Sequence, residues 1–163
     1  MKNLLYILLI LFILCNPALA QSLDIKVKDG DSLEIKVINQ CRLAGIDCPE
    51  YDQPFGDMAS AKLRELIELS KLVGNWCLPK PDKYGRSICV LSLQNLQNNN
   101  KFDPAEELIK AGLAEVEYAD TLPNSLEIAY RIAEKEAKQK KLGIWSQENY
   151  IKPATWRRNN TKK

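Results

Sequence analysis

Leu23-Asp24-Ile25-Lys26-Val27-Lys28-Asp29-Gly30-Asp31-Ser32-Leu33-Glu34-Ile35-Lys36-Val37 alternates apolar and polar residues on both sides of a tight Asp-Gly-Asp turn. Leu23, Ile25 and Val27 share one face of the first arm, and Leu33, Ile35 and Val37 share one face of the second. That period of two belongs to half-buried strands, so the stretch is a β-hairpin. Towards the C-terminus, 41–46 reads as a third strand, and 71–78 and 87–93 as a fourth and fifth flanking the turn at 79–85. Five short strands with tight turns predict a small barrel, closed or nearly so. The Asn/Gln-rich stretch 94–101 predicts a loop.

Three helices complete an α+β pattern. Residues 56–72 place Ala59, Leu63, Leu66, Ile67 and Leu69 on one side. Asp103-Pro104-Ala105-Glu106 is a capping box with proline at the first helical position, and Gly112 stands where a left-handed stop is wanted. Residues 124–142 put Leu126, Ala129, Ala133 and Ala137 on one face, with Glu134/Lys138 and Glu136/Lys140 as i,i+4 pairs on another.

The first twenty residues read as an export signal. Lys2 is followed by 12 apolar residues from Leu4 to Cys15, then Asn16-Pro17 and Ala18-Leu19-Ala20, which predicts cleavage after Ala20 and a secreted or periplasmic product. An apolar run of this length falls short of the ~20 residues needed to span a bilayer, so a retained anchor is the lesser reading. Cleavage leaves 143 of 163 residues, one domain's worth. The predicted organisation is a leader at 1–20, one domain at 21–146, and a basic tail at 147–163. Without Lys2 the chain carries 22 Lys+Arg against 21 Asp+Glu, a balance near +1, so any site for a polyanion has to be local. The tail from Lys152 to Lys163 holds five basic residues, no acid and Trp156, and reads as a solvated extension.

Cys41, Cys48, Cys77 and Cys89 remain after cleavage. In an oxidising compartment three connectivities are open to them, and a bridge from Cys77 to Cys89 across the 79–85 turn is the preferred one. Four buried thiols are the alternative. The absence of CxxC-type spacing and of histidine argues against a zinc site.

The chemistry concentrates in Arg42-Leu43-Ala44-Gly45-Ile46-Asp47-Cys48-Pro49-Glu50 and Asp82-Lys83-Tyr84-Gly85-Arg86. With the Asp29-Gly30-Asp31 turn they supply two arginines, several carboxylates and a tyrosine. Arginine binds two phosphate oxygens at once and stays charged, and the carboxylates of Asp31 and Asp47 are hard ligands suited to calcium or magnesium. Glu50 is the carboxylate placed to activate water. The missing histidine excludes histidine-dependent nuclease schemes and Ser-His-Asp hydrolysis. Strict alternation would set Arg42 and Asp47 on opposite faces of a strand, so a shared site requires the chain to end or bend near Gly45.

Asp-Gly-Asp-Ser, Arg-Leu-Ala-Gly-Ile-Asp-Cys-Pro-Glu, Asp-Lys-Tyr-Gly-Arg, Ala-Gly-Leu-Ala-Glu-Val and Lys-Leu-Gly-Ile-Trp follow in an order that resembles the staphylococcal (micrococcal) nuclease, or thermonuclease, family. The resemblance runs from about Leu23 to Ser146. It implies an OB-fold five-stranded β-barrel with three helices, and a calcium-dependent phosphodiesterase cutting DNA and RNA to leave 3′-phosphate ends. Carried over by position, it makes Glu50 the general base and gives Arg42 and Arg86 the five-coordinate phosphorus. It makes Asp31, Asp47 and the carbonyl of Cys48 the calcium ligands. Lys83 and Tyr84 match contacts to a neighbouring phosphate, and Tyr118 matches a contact to base or sugar. This chain differs from the best-known member at Cys48, a threonine there, at a shorter segment after Glu50, and at Asp120, where that member has a second tyrosine. The implied substrate is DNA or RNA, the implied state a monomer without a stable protein partner and, after cleavage, without a membrane. Two rivals are a non-catalytic OB module that binds single strands, and an exported domain whose acids and arginines form structural ion pairs only.

Overall fold

A computed structural model describes residues 25–36 and 38–160. The leader, Leu23 and Val37 lie outside the described residues. The hairpin is present as β1 (Ile25–Val27) and β2 (Ser32–Ile35), paired antiparallel with Ile25 opposite Ile35 and Val27 opposite Leu33. Its inward positions Leu33 and Ile35 are fully buried, as the alternation requires. β3 (Asn39–Leu43) pairs antiparallel with β2, and its other edge runs parallel to β6 (Ser87–Asn95). β5 (Ser70–Cys77) pairs antiparallel with β6 on the far side, and β7 (Lys101–Phe102) adds to the end of β6.

The barrel, expected to be closed or nearly so, is not closed among the described residues: the main sheet runs β1-β2-β3-β6-β5, with no pairing from β1 back to β5. The chain leaves the sheet after Leu43, and Ile46, read as the end of the third strand, belongs instead to β4 (Ile46–Asp47). This strand pairs in a separate two-stranded sheet with β8 (Glu115–Val116). The cause is Gly45, at φ 78, a left-handed conformation open to glycine at little cost, which turns the backbone out of the ladder. The predicted loop at 94–101 is shorter than expected, because β6 continues to Asn95 and Lys101 returns opposite Gln94.

Helix α1 (Gly56–Glu68) buries Ala59 and Leu63 and stops earlier than its apolar spacing suggests. Its continuation from Ser70 is already strand, where pairing of Leu72 with Leu93 outweighs helical spacing. Helix α2 (Pro104–Lys110) starts as predicted, with the Asp103 carboxylate accepting from Ala105 N at 2.9 Å. Glu106 pairs with Lys110. Helix α3 (Asn124–Gln139) buries Tyr130, Ala133 and Ala137 and carries both expected i,i+4 ion pairs. In place of three helices there are four among the described residues, with α4 (Pro153–Asn160) in the stretch read as a solvated tail. The residue that plugs the core after α3 is Ile144, whereas the partly buried Trp145 lies under Lys138 and edge-on to Tyr150. Cys77 and Cys89, opposite each other in β5 and β6, form a disulfide, and Cys41 and Cys48 are buried thiols. No helix among the described residues is long and apolar enough to cross a membrane.

Candidate active site

The β1–β2 turn sets the floor of the site. Asp31 N donates to Asp29 Oδ1 at 3.1 Å, a local turn bond typical of aspartate. Gly30 lets this turn press against the chain that follows β4: a Cβ there would lie 2.7 Å from Cys48 Cβ and 2.8 Å from Ala59 Cβ. That close approach lets Cys48 N donate to Asp31 Oδ2 at 3.2 Å. Ser32 stands opposite Arg42 in the β2–β3 ladder, which puts Arg42 beside Asp31.

The break at Gly45 resolves the problem of alternation. Having turned, the chain brings Ile46 and Asp47 back to the side that Arg42 faces. Arg42 Nη2 donates to Asp47 Oδ1 at 2.8 Å and to Ile46 O at 3.1 Å, while Nη1 donates to Asp31 Oδ1 at 3.0 Å. One guanidinium thus ties an acid of the β1–β2 turn to one of β4, and although burial opposes its charge, Asp31 and Asp47 hold it above its ordinary range. Asp31 also accepts from Ser32 Oγ. Burial nevertheless pushes Asp31 up to about 7 despite Arg42, with Asp29 and Asp47 adding to the rise. Burial raises the Cys48 thiol well above its ordinary value as well, so its sulfur is no thiolate ligand.

Arg86 arrives from the β5–β6 turn, organised by a residue to which sequence reading gave no role. Asp82 Oδ1 accepts from Tyr84 N and Arg86 N at 2.9 and 3.0 Å, and its Oδ2 accepts from Arg86 Nε at 2.7 Å. Burial works against the ionised carboxylate, but these bonds prevail and hold Asp82 below its usual range. Arg86 Nη1 donates to Ser32 Oγ at 2.8 Å, so Ser32 links Arg86 to Asp31. The legible signal was Asp82 itself, an aspartate opening a tight turn four residues before the arginine.

These groups face one cavity of about 620 Å³. Of the nine residues singled out from sequence, Asp31, Arg42, Cys48, Glu50, Arg86, Lys83, Tyr84 and Tyr118 all line it. Asp47 does not: it is 1% exposed and lies behind Arg42. Tyr84 and Tyr118 stand at the rim, 68% and 67% exposed, with Lys83 and Arg86 against the Tyr84 ring.

Arg157, on α4, also lines this cavity. It spans Asp47 bidentately, Nη1 to Oδ1 at 3.1 Å and Nη2 to Oδ2 at 2.8 Å, and Nη1 donates to Glu50 Oε1 at 2.6 Å. The bonds to Asp47 and then Glu50 outweigh burial and hold its guanidinium above its ordinary range. Helix α4 is fastened beside the site by Trp156 Nε1 donating to Asp52 Oδ1 at 3.0 Å and Gln53 Nε2 donating to Ile151 O at 2.6 Å. Nothing in the local pattern around Arg157 marks it for this position, since its acid partners lie 107 and 110 residues earlier.

Among the described residues no group of three or more acidic or cysteine side chains is arranged to hold a metal ion by itself. The expected set uses two carboxylates and a backbone carbonyl, all hard oxygens that suit calcium or magnesium in type. The local sign of fit is geometric: Asp31 is a buried carboxylate on the cavity wall that shares its counter-charge, Arg42, with Asp47. Asp47, by contrast, has both oxygens engaged by arginines as the structure stands.

The model of the family described as staphylococcal nuclease homologue matches residues 40–147. An uncharacterized endonuclease of Escherichia coli O157:H7 is 29% identical over 159 residues, spanning 93% of this chain and 96% of the relative. One from Haemophilus influenzae is 32% identical over 142 residues, 82% of this chain and 71% of the relative. The probable endonuclease lcl3 of Botryotinia fuckeliana is 32% identical over 147 residues, 81% of this chain and 52% of that longer protein.

Proposed function

Since the chain belongs to the staphylococcal nuclease family, we propose that it is an endonuclease hydrolysing phosphodiester bonds of DNA, RNA or both. The observation that carries this reading is the meeting of Arg42, Glu50 and Arg86 on one cavity, from a strand, a loop and a hairpin turn that the sequence keeps apart. Glu50 is the general base: Oε1 is held by Arg157, and Oε2 accepts no hydrogen bond from the described residues, so it can take a proton from water. Arg86 spends Nε and Nη1 on Asp82 and Ser32, which fixes the plane of its guanidinium and leaves Nη2 for a phosphoryl oxygen. Arg42, anchored by two acids, adds a second positive charge at the same wall. Both meet charge that grows as the phosphorus becomes five-coordinate, the point at which fixed charge is most effective. Lys83 and Tyr84 hold a neighbouring phosphate, and Tyr118 offers a face to a base or sugar.

Asp31, Asp47 and the Cys48 carbonyl are the residues that would hold a calcium ion. Bound there, it would neutralise phosphoryl charge and increase the acidity of bound water. The same reading includes 3′-phosphate products, an OB-like barrel left open at one seam, export directed by the first twenty residues, and action as a monomer.

The test is cleavage of plasmid DNA and of RNA by purified protein with calcium, magnesium or a chelator, for wild type and Glu50→Gln. Expected is calcium-dependent cutting that falls by roughly 10²–10⁴-fold in Glu50→Gln. Undiminished cutting by Glu50→Gln removes the base. Binding of single strands without cutting, under any metal, replaces the enzyme with a binding module built on the same cavity.

A further inference from the structure

Asp47, proposed to hold the cation, and Glu50, proposed as the base, are both already paired with a cationic side chain. Arg157 occupies Oδ2 of Asp47 and shares its Oδ1 with Arg42, and it takes Oε1 of Glu50 as well. A divalent ion seated on Asp47 would meet a guanidinium within hydrogen-bond distance of the same oxygens. Asp47 is buried, and two positive charges cannot share its lone pairs without repulsion. We propose that Arg157 is a tethered competitor for the divalent cation, alternating with it on Asp47, thereby setting the cation affinity of the site and holding Glu50 while it is seated.

The two arginines on Asp47 differ in what moving them would cost. Arg42 sits in the middle of the sheet, in β3 between β2 and β6, its side chain 15% exposed. Displacing it would also give up its bonds to Asp31 and to Ile46 O. Arg157 rides on a separate eight-residue helix, its side chain 40% exposed, and of that helix only Pro153 is buried. What secures the helix at the site is polar: the Trp156–Asp52 bond, the Gln53–Ile151 bond, and Lys152 within 3.6 Å of Glu115. Arg157 is therefore the group that gives way. While it is seated, it compensates an otherwise buried acid, since Asp47 shares Arg42 with Asp31. When it leaves, Asp47 Oδ2 and Glu50 Oε1 open to the cavity together, so filling the cation site and releasing the base become one event.

This inference rests on the calcium site of the proposed nuclease, and its test contains no nucleic acid, so failure to cut and failure to compete are read separately. Calcium is titrated into metal-free full-length protein by calorimetry, for wild type, Arg157→Gln and Trp156→Phe. Arg157→Gln keeps a polar side chain but loses the charge, and is expected to bind calcium about tenfold more tightly. Trp156→Phe removes only the bond to Asp52 and leaves the contacts of Arg157 to Asp47 and Glu50 in place, so it loosens the helix and is expected to fall between the two. Near-UV circular dichroism checks the fold, and if Arg157→Gln is misfolded, Trp156→Phe decides. Equal or weaker calcium binding by the folded variants overturns the competition and leaves the cation site standing. Absence of calcium binding in all three proteins removes the site and the competition with it.

Discussion

Lys83 and Arg86 sit three residues apart on one turn, yet the structure separates their roles. Arg86 is locked by Asp82 and Ser32 with its remaining amino group towards the cavity, whereas Lys83 is an exposed ammonium 5.0 Å from the Tyr84 ring centre. A rigid donor aimed at developing charge contributes mainly to the transition state, and a mobile charge at the rim contributes mainly to ground-state binding. Arg86→Ala should therefore lower kcat/KM by roughly 10²–10³-fold, chiefly through kcat, while Lys83→Ala raises KM only a few-fold. Comparable losses in the two variants, measured on a short oligonucleotide, would undo the assignment. At this scale the sequence supplied residue types and spacings. The short-range bonds of Asp82 were within its reach, because they close within four residues.

Between elements, α2 and α3 are joined by a buried polar contact. Tyr130, wholly buried on α3, donates its hydroxyl to Asp103 Oδ2 at 2.6 Å, and the other oxygen of Asp103 caps α2 through Ala105 N. Burial pushes Asp103 up to about 6 even though both bonds favour its ionised form. A carboxyl whose folded-state value lies above its unfolded value near 3.8 binds its proton more tightly in the native protein, so its contribution to stability is present below pH 4 and is lost as pH rises towards 6 and beyond. Asp103→Asn keeps a capping oxygen and cannot titrate. The stability of wild type minus that of Asp103→Asn should accordingly fall by about 3 kcal/mol between pH 3.5 and pH 7, read from urea unfolding across that range. A flat difference would show that Asp103 is not perturbed. The capping half of this contact was readable in Asp-Pro-Ala-Glu, but the tyrosine, 27 residues away, came from how α3 docks.

For the molecule as a whole, the Cys77–Cys89 bridge closes a loop in the unfolded chain as well as tying β5 to β6. Its effect on stability is mainly through that restricted unfolded ensemble, with a sequence separation of 12. Reduction should lower unfolding free energy by about 2–3 kcal/mol, seen as a shift of the urea midpoint with and without dithiothreitol. An unchanged midpoint would mean that the paired strands alone hold this region.

What the sequence determined by itself were features whose causes are local: the hairpin from its alternation, the starts of α2 and α3 from their caps and spacing, the need for a break at Gly45, and the family from motifs in order. Local rules underlie all of these, with interactions a few residues long. Only the tertiary structure decided the open edge of the sheet, the loss of Ile46 and Asp47 to a second sheet with β8, the retreat of Asp47 behind Arg42, and the arrival of Arg157 from a run that read as solvated tail. Each of these depends on segments that meet at long range, where buried acids must find their counter-charges in space, and no pattern in either segment records its partner.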